Sequence, residues 1–159
     1  MSVKITIEPA TLAHADYIAA HMRKSDVMEV GASHAHSPRE AARASVMVSR
    51  FAFAGMADGV PVYLFGLRDG TAFNRTGYVW GLGTDELLKY SKDFWPASRN
   101  FIAFCRGQSD RLENYVHAEN LISIRWLEKL GFKFEEPAPW GVRGELFMRF
   151  WMEGGFLNV

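Results

Sequence analysis

The sequence predicts a mixed α/β fold, one sheet with helices on its faces, and three observations carry that reading. Short stretches with apolar residues at every second position alternate with longer ones at helical spacing. Helix-start and helix-stop signals stand where the period changes. The resulting order, βααβββαβαββ, occupies 159 residues, the length of one domain (1–159).

Val3, Ile5 and Ile7 alternate with polar neighbours, so residues 2–8 read as a strand stopped by Pro9. Thr11 caps a helix whose Leu12, Ala15, Ile18, Ala19 and Met22 share one face. Lys24 to Ser37 reads as an irregular polar stretch holding Asp26, Glu29, His34 and His36. At Ser37-Pro38-Arg39-Glu40 a helix starts again. Ser37 and Glu40 can cap each other's amides, and Pro38 sits where a missing N–H costs nothing. Ala41, Ala44, Ser45 and Val48 form its inward stripe.

Residues 51–56 and 60–67 read as strands around Asp58-Gly59, a favoured two-residue hairpin turn. Gly70 to Arg75 is loop. Residues 77–83 form a further strand, with glycines suited to a bulge or a close backbone approach. Thr84-Asp85 opens a helical stretch to Arg106, broken near Ser91 to Pro96, with Phe94, Ala97, Phe101, Ile102 and Cys105 inward. Leu112 to Val116 is a short strand. Asn120 opens the next helix, which buries Ile124, Leu127 and Leu130 and ends at Gly131. Residues 132–135 and 145–152 pair as strands around a loop bearing proline and glycine. The tail from Glu153 to Val159 is expected to fray, or to dock on a neighbouring subunit through Phe156 and Leu157.

Eighteen basic residues balance eighteen acidic ones, so no general field draws the chain to nucleic acid or an anionic membrane. Cys105 is the sole cysteine, which excludes an internal disulfide and a Cys-based zinc cluster. No run approaches the roughly 18 apolar residues of a membrane span, and a soluble cytoplasmic protein is expected.

The segment Asn120-Leu-Ile-Ser-Ile-Arg-Trp-Leu-Glu-Lys-Leu-Gly131-Phe132 is similar to the last conserved block of GNAT acetyltransferases, and the order of elements agrees with that family over nearly the full length. The resemblance implies a GNAT-like acyl-CoA N-acyltransferase fold. Strands 77–83 and 112–116 would splay to admit a pantetheine arm, and amides of the first would polarise the thioester of acetyl-CoA. Amides at the start of the following helix would hold the pyrophosphate. On this reading the cofactor would meet Trp80, Leu82, Gly83, Thr84, Lys92, Arg99 and Asn120. Two departures stand out. Thr84 to Asn100 contains no glycine and carries Asp85, Glu86 and Asp93, where the family has a glycine-rich phosphate loop. The family's frequent tyrosine acid falls on Leu127, which cannot give a proton.

The block Arg111-Leu-Glu-Asn114-Tyr115-Val116, followed by Asn120, Ser123-Ile124-Arg125-Trp126-Leu127, resembles a narrower group: GNAT-related proteins of tailed phages, including internal virion or morphogenesis proteins of short-tailed phages. Asp26-x-x-Glu29 and the Trp80 to Asp85 stretch resemble that group too. This resemblance implies an assembly protein with a degenerate acetyl-CoA site, located in the virion or host cytoplasm, with protein partners. The alternative it leaves is a working N-acetyltransferase.

Among single residues, Glu29 is the candidate general base and otherwise a solvated loop carboxylate. Tyr115 is the candidate acid and otherwise a packing residue; Tyr78 and Tyr90 lie farther from the expected cleft. Asn120 reads as a ligand contact or simply as a helix cap. His34 and His36 lack a third partner for a metal, so no metal site is expected. His117 reads as a packing or hydrogen-bonding residue beside the cleft, and Cys105 as core.

Overall fold

The computed structural model describes residues 2–71 and 73–155. The expectations for Phe156 and Leu157 lie outside the described residues. The elements are β1 (Ile5–Pro9), α1 (Leu12–Ala20), α2 (Lys24–His34), α3 (Pro38–Val48), β2 (Phe51–Ala57), β3 (Val60–Asp69), β4 (Thr76–Gly83), a 3-10 turn (Asp85–Tyr90), α4 (Ser91–Gln108), β5 (Arg111–His117), α5 (Leu121–Leu130), β6 (Lys133–Phe134), β7 (Ala138–Trp140) and β8 (Glu145–Glu153).

The strands form one sheet in the order β1-β2-β3-β4-β5-β8-β6, with β7 also on β8. Neighbours run antiparallel except β4 and β5, which are parallel. That parallel pair is short: Thr76, Gly77 and Tyr78 face Arg111, Leu112 and Glu113, and the ladder stops there. Just beyond it, Asn114 Nδ2 donates to the Val79 carbonyl at 2.9 Å, a side chain standing where a ladder bond would be. From that point the two strands diverge.

Successive side chains of a strand point to opposite faces, and the core follows that alternation. Leu64 and Leu82 are buried with Ala15, Ile18 and Ala42, under α1 and α3. Leu67 and Val79 are buried on the other face with Cys105 and Leu112, under α4 and α5. Each fully buried leucine contributes about 1.5–3 kcal/mol relative to leaving it in water.

The local signals behave as their chemistry demands. Thr11 and Ser37 each complete a reciprocal cap, with His14 and Glu40 as the returning partners. Asp58 and Gly59 both take positive φ, 47° and 80°, as a hairpin matched to strand twist requires. Gly131 ends α5 at φ 103°.

Three expectations are corrected. Residues 24–34 are helix α2, not an irregular stretch. Its N-terminus has no side-chain cap, and weak helix formers such as Ser25, Val27, Gly31 and Ser33 run through it. Tertiary contacts hold it instead: Arg23 N donates to the Gly83 carbonyl at 2.9 Å, and Asp26, Ala32 and Ser33 are buried. The break expected near Ser91 to Pro96 lies earlier, in the 3-10 turn, and Pro96 sits inside α4. The loop before β8 holds an additional strand, β7, and the turn after it is tied to α2, with Val142 N donating to the Ser33 carbonyl at 3.0 Å. Gly141 is needed there. It has φ 81°, and a Cβ would lie 2.8 Å from the Ala32 carbonyl oxygen.

Candidate active site

A cavity of about 840 Å³ opens where β4 and β5 part. Its walls come from both faces of the sheet: Glu29, Ser33 and Ser45 belong to α2 and α3, whereas Ser98, Trp126 and Leu127 belong to α4 and α5. The space therefore passes through the sheet by way of the divergence, with β4 residues Val79 to Leu82 along one edge and Asn114 to Val116 along the other.

The hydrogen-bond parity of β4 decides which backbone groups face the opening. Thr84 N donates to the Val62 carbonyl at 3.1 Å, and Gly70 N donates to the Thr76 carbonyl at 2.8 Å. In an antiparallel ladder bonded pairs alternate with unbonded ones. Tyr78, Trp80 and Leu82 therefore direct their backbone groups to β3, while Val79, Gly81 and Gly83 direct theirs to the cleft side. Gly83 is already occupied, since its N–H donates to Asp26 Oδ2 at 2.8 Å and its carbonyl accepts from Arg23. Gly81 keeps its N–H and carbonyl toward the opening. Of the residues expected to offer amides to a cofactor, Leu82 and Thr84 bond to β3, Gly83 bonds to α2, and Trp80 gives its indole N–H to Ser49 Oγ at 2.7 Å. Lys92 and Arg99 are exposed on α4.

Glu29 lies on α2 and faces the cavity. Its Oε1 accepts the His117 N–H at 2.7 Å and the Asn120 amide at 3.3 Å. Asn120 also caps α5 by accepting from Ser123 N at 3.3 Å, as its helix-cap reading requires. Burial pushes the Glu29 carboxyl up to about 7. The His117 amide pulls down, the Asp26 charge pushes up, and Asn120 and Arg23 pull down. Asp26 is buried at the root of the same helix, bonded to Arg23 Nε at 2.7 Å. Burial also raises its carboxyl, against the Arg23 guanidinium and the Gly83 amide that favour the charged form.

Tyr115 lines the cavity with its ring stacked on Trp140, centroids 4.0 Å apart. Leu127 packs with the core under α5. Two further tyrosines line the cavity: Tyr78 of β4, which the sequence set farther from the cleft, and Tyr63 of β3. A Cβ on Gly81 would stand 2.8 Å from the Tyr63 hydroxyl, so that hydroxyl sits beside the residue whose amide faces the opening. Burial pushes the Tyr63 phenol up to about 12, opposed by the Arg23 charge and a hydrogen bond from Trp126. Nothing in the sequence singled out Tyr63 or Arg23. The Arg23-x-x-Asp26 spacing is a recognisable helical ion pair, but only once α2 is known to be a helix.

His117 is buried, with Nδ1 accepting from Glu119 N at 3.1 Å and Nε2 donating to Glu145 Oε1 at 2.8 Å. Both ring nitrogens are occupied, as its hydrogen-bonding reading requires. Cys105 is buried and burial pushes its thiol up to about 12, so it behaves as core.

Directly after β4, beside the start of α2, the approach to α4 is the glycine-free 3-10 turn. Leu87 N donates to the Thr84 carbonyl at 3.1 Å, and Lys89 pairs with Glu86 at 2.8 Å. Asp85 and Glu86 are exposed in its first turn. The hydroxyl of Thr84 is buried without a hydrogen-bond partner, the one such side-chain atom among the described residues. The cations that line the cavity on this side are Arg125 and Lys129 of α5, together with Arg23, whose Nη2 donates to Ser123 Oγ at 3.3 Å. Lys129 Nζ lies 4.4 Å from the centroid of Trp95, which meets Trp126 edge-on at 5.4 Å.

No protein-family model matches the sequence, and no curated protein sequence matches it. Solved structures do. Ard1 from Thermoplasma volcanium superposes with a TM-score of 0.71 at 13% identity, covering 94% of this chain and 97% of that one. A GNAT-family acetyltransferase from Bacillus anthracis gives 0.65 at 15% identity, over 96% of this chain and 98% of that one. A mutant spermidine N-acetyltransferase from Vibrio cholerae gives 0.62 at 14% identity, over 97% and 96%. The chain therefore has the GNAT acyl-CoA N-acyltransferase fold.

Proposed function

We propose that the protein is an acyl-CoA-dependent N-acyltransferase in which Glu29 is the general base. The observation that carries this reading is the placement of a carboxylate with a value near 7 in the wall of a cavity that passes through the sheet. A base poised at the working pH is half ionised there and can take a proton from an ammonium or amine.

Acetyl-CoA supplies an activated acyl group as a thioester. The chain's fit to it is uneven. The Gly81 N–H, aimed into the opening, can donate to a thioester carbonyl and stabilise charge on that oxygen. The Tyr63 hydroxyl, protonated at neutral pH, is a hydrogen-bond donor for the departing sulfur in place of an acid at Leu127. Tyr115 instead forms an aromatic wall with Trp140. Arg125 and Lys129 are the side chains able to hold phosphate, while Asp85 and Glu86 oppose it by charge. Glu29 is held in place by the His117 amide and Asn120, so little reorganisation precedes proton transfer.

A second reading is favoured by one observation, the acidic 3-10 turn where the family has a glycine-rich phosphate loop. In it the chain is a phage virion or assembly protein that keeps the scaffold, binds protein partners in the host cytoplasm or particle, and has no use for the nucleotide. Calorimetric titration with acetyl-CoA separates the two. Saturable micromolar binding, accompanied by release of CoA when amines are added, is the expected result of the enzyme reading. Absence of binding below millimolar overturns it and leaves the assembly reading.

A further inference from the structure

The seam between β4 and β5 stops at the pair Tyr78 and Glu113. In a parallel ladder the next bond would run from the Tyr115 N–H to the Val79 carbonyl. Both groups are bonded, but to one and the same side chain. Tyr115 N donates to Asn114 Oδ1 at 2.9 Å, and Asn114 Nδ2 donates to the Val79 carbonyl at 2.9 Å. The carboxamide is thus spliced into the ladder in series, with its acceptor toward its own strand and its donor toward the other. A direct bond holds neighbouring strands about 4.8 Å apart. Here two bonds and a side chain fill that span, so the strands cannot draw together while the carboxamide stays.

The far end of the split is held by α2. Gly83 is bonded to Asp26 and Arg23, and His117 N to Glu29 Oε1. Gly81 lies between these anchors, with its amide toward the opening. If Tyr115 N bonded directly to Val79, the following ladder bond would run from Gly81 N–H to the Tyr115 carbonyl. That bond would consume the one amide of β4 left for a ligand. We propose that Asn114 is the positioning residue that prevents this: its carboxamide holds β4 and β5 apart at the vertex of the split and so keeps the Gly81 N–H available. The role needs a carboxamide, because a carboxylate has no donor for the Val79 carbonyl and a valine has neither group. The inference rests on the acyltransferase reading for what the Gly81 amide does. The splice itself is testable without any ligand.

The experiment measures scalar couplings across hydrogen bonds by NMR in the isotope-labelled full chain, and acetyl-CoA affinity by calorimetry. The wild type should show coupling from Tyr115 N to the Asn114 side-chain carbonyl and from Asn114 Nδ2 to the Val79 carbonyl. Asn114→Val should show direct coupling from Tyr115 N to the Val79 carbonyl and bind acetyl-CoA at least roughly tenfold more weakly. Asn114→Gln keeps donor and acceptor and should recover most of that affinity, whereas a residue that only packed would be replaced better by valine. Asn114→Ala, for which the same new coupling is expected, serves if valine prevents folding. A wild type lacking the two side-chain couplings overturns the proposal. So does a folded Asn114→Val or Asn114→Ala protein in which Tyr115 and Val79 stay uncoupled, whatever its affinity, or one that binds acetyl-CoA as the wild type does. If acetyl-CoA binds none of these proteins while the direct coupling appears in Asn114→Val, the acyltransferase reading falls and the splice stands.

Discussion

The two ends of the cavity differ in what holds them. At the α2 end, side chains from distant parts of the chain converge: Arg23 and Asp26 lock onto the end of β4, and Glu29 ties α2 to β5 and α5. In the turn that follows β4, from Thr84 to Tyr90, only Thr84 is tied to distant chain, at Val62 and Met22; beyond it the bonds run from Leu87 to Thr84 and from Lys89 to Glu86, and Asp85 and Glu86 are exposed. One region is built around a half-buried carboxylate whose value is raised by its surroundings. The other is a short 3-10 turn with two acidic residues, Asp85 and Glu86, in its first turn. On the acyltransferase reading proposed above, changes in one region should leave the readout of the other alone.

The largest effect is expected at Glu29. Glu29→Gln should lower acyl transfer by roughly 10²–10⁴ while acetyl-CoA titration stays unchanged. The wild-type rate should climb with pH and level off above about 7, and the variant should lack that limb. Stability gives an independent check. Glu29 binds its proton more tightly folded (about 7) than at its ordinary value of 4.5, so the folded state takes up protons between those values. Its contribution is fully present below about 4.5 and declines as pH rises to about 7. Thermal melts should therefore show Glu29→Gln gaining on wild type at pH 8 relative to pH 5.

Next comes the lock itself. Arg23→Met leaves Asp26 buried without its cation and should cost about 3–5 kcal/mol in urea unfolding. A loss below about 1 kcal/mol would show that the Gly83 amide alone satisfies Asp26, and the contrast between the two ends would weaken. At the other end Thr84→Val keeps the shape and removes a hydroxyl that bonds to nothing, so it should stabilise by about 1 kcal/mol in the same assay. The smallest effect is on binding. Asp85→Asn with Glu86→Gln should tighten acetyl-CoA roughly two- to fivefold, most visibly at low salt, because exposed charges are screened.

Which parts were legible in the sequence follows from where their interactions lie along the chain. Thr11, Ser37, Asp58-Gly59 and Gly131 act over a few residues, and each turn or cap stands where its residues place it. The resemblance at Asn120 to Phe132 led to the fold the solved structures share. Helix α2 was not legible, because its order comes from Gly83 and His117, 57 and 88 residues away from the partners Asp26 and Glu29. For the same reason Glu29 was recognisable as a candidate while its burial was not. Tyr63 was hidden differently: strand periodicity shows which face a residue takes, not that a glycine on the next strand brings a hydroxyl beside an open amide.

The parallel seam between β4 and β5 is three residue pairs long, closed by the Asn114 side chain. The molecule is thus two half-sheets fastened at one short edge, like the covers of a book bound by a few stitches. Lengthening that binding by two pairs would draw Val79, Gly81, Asn114 and Tyr115 into the ladder and shut the chamber, so the width of the gap is set by where the stitching stops.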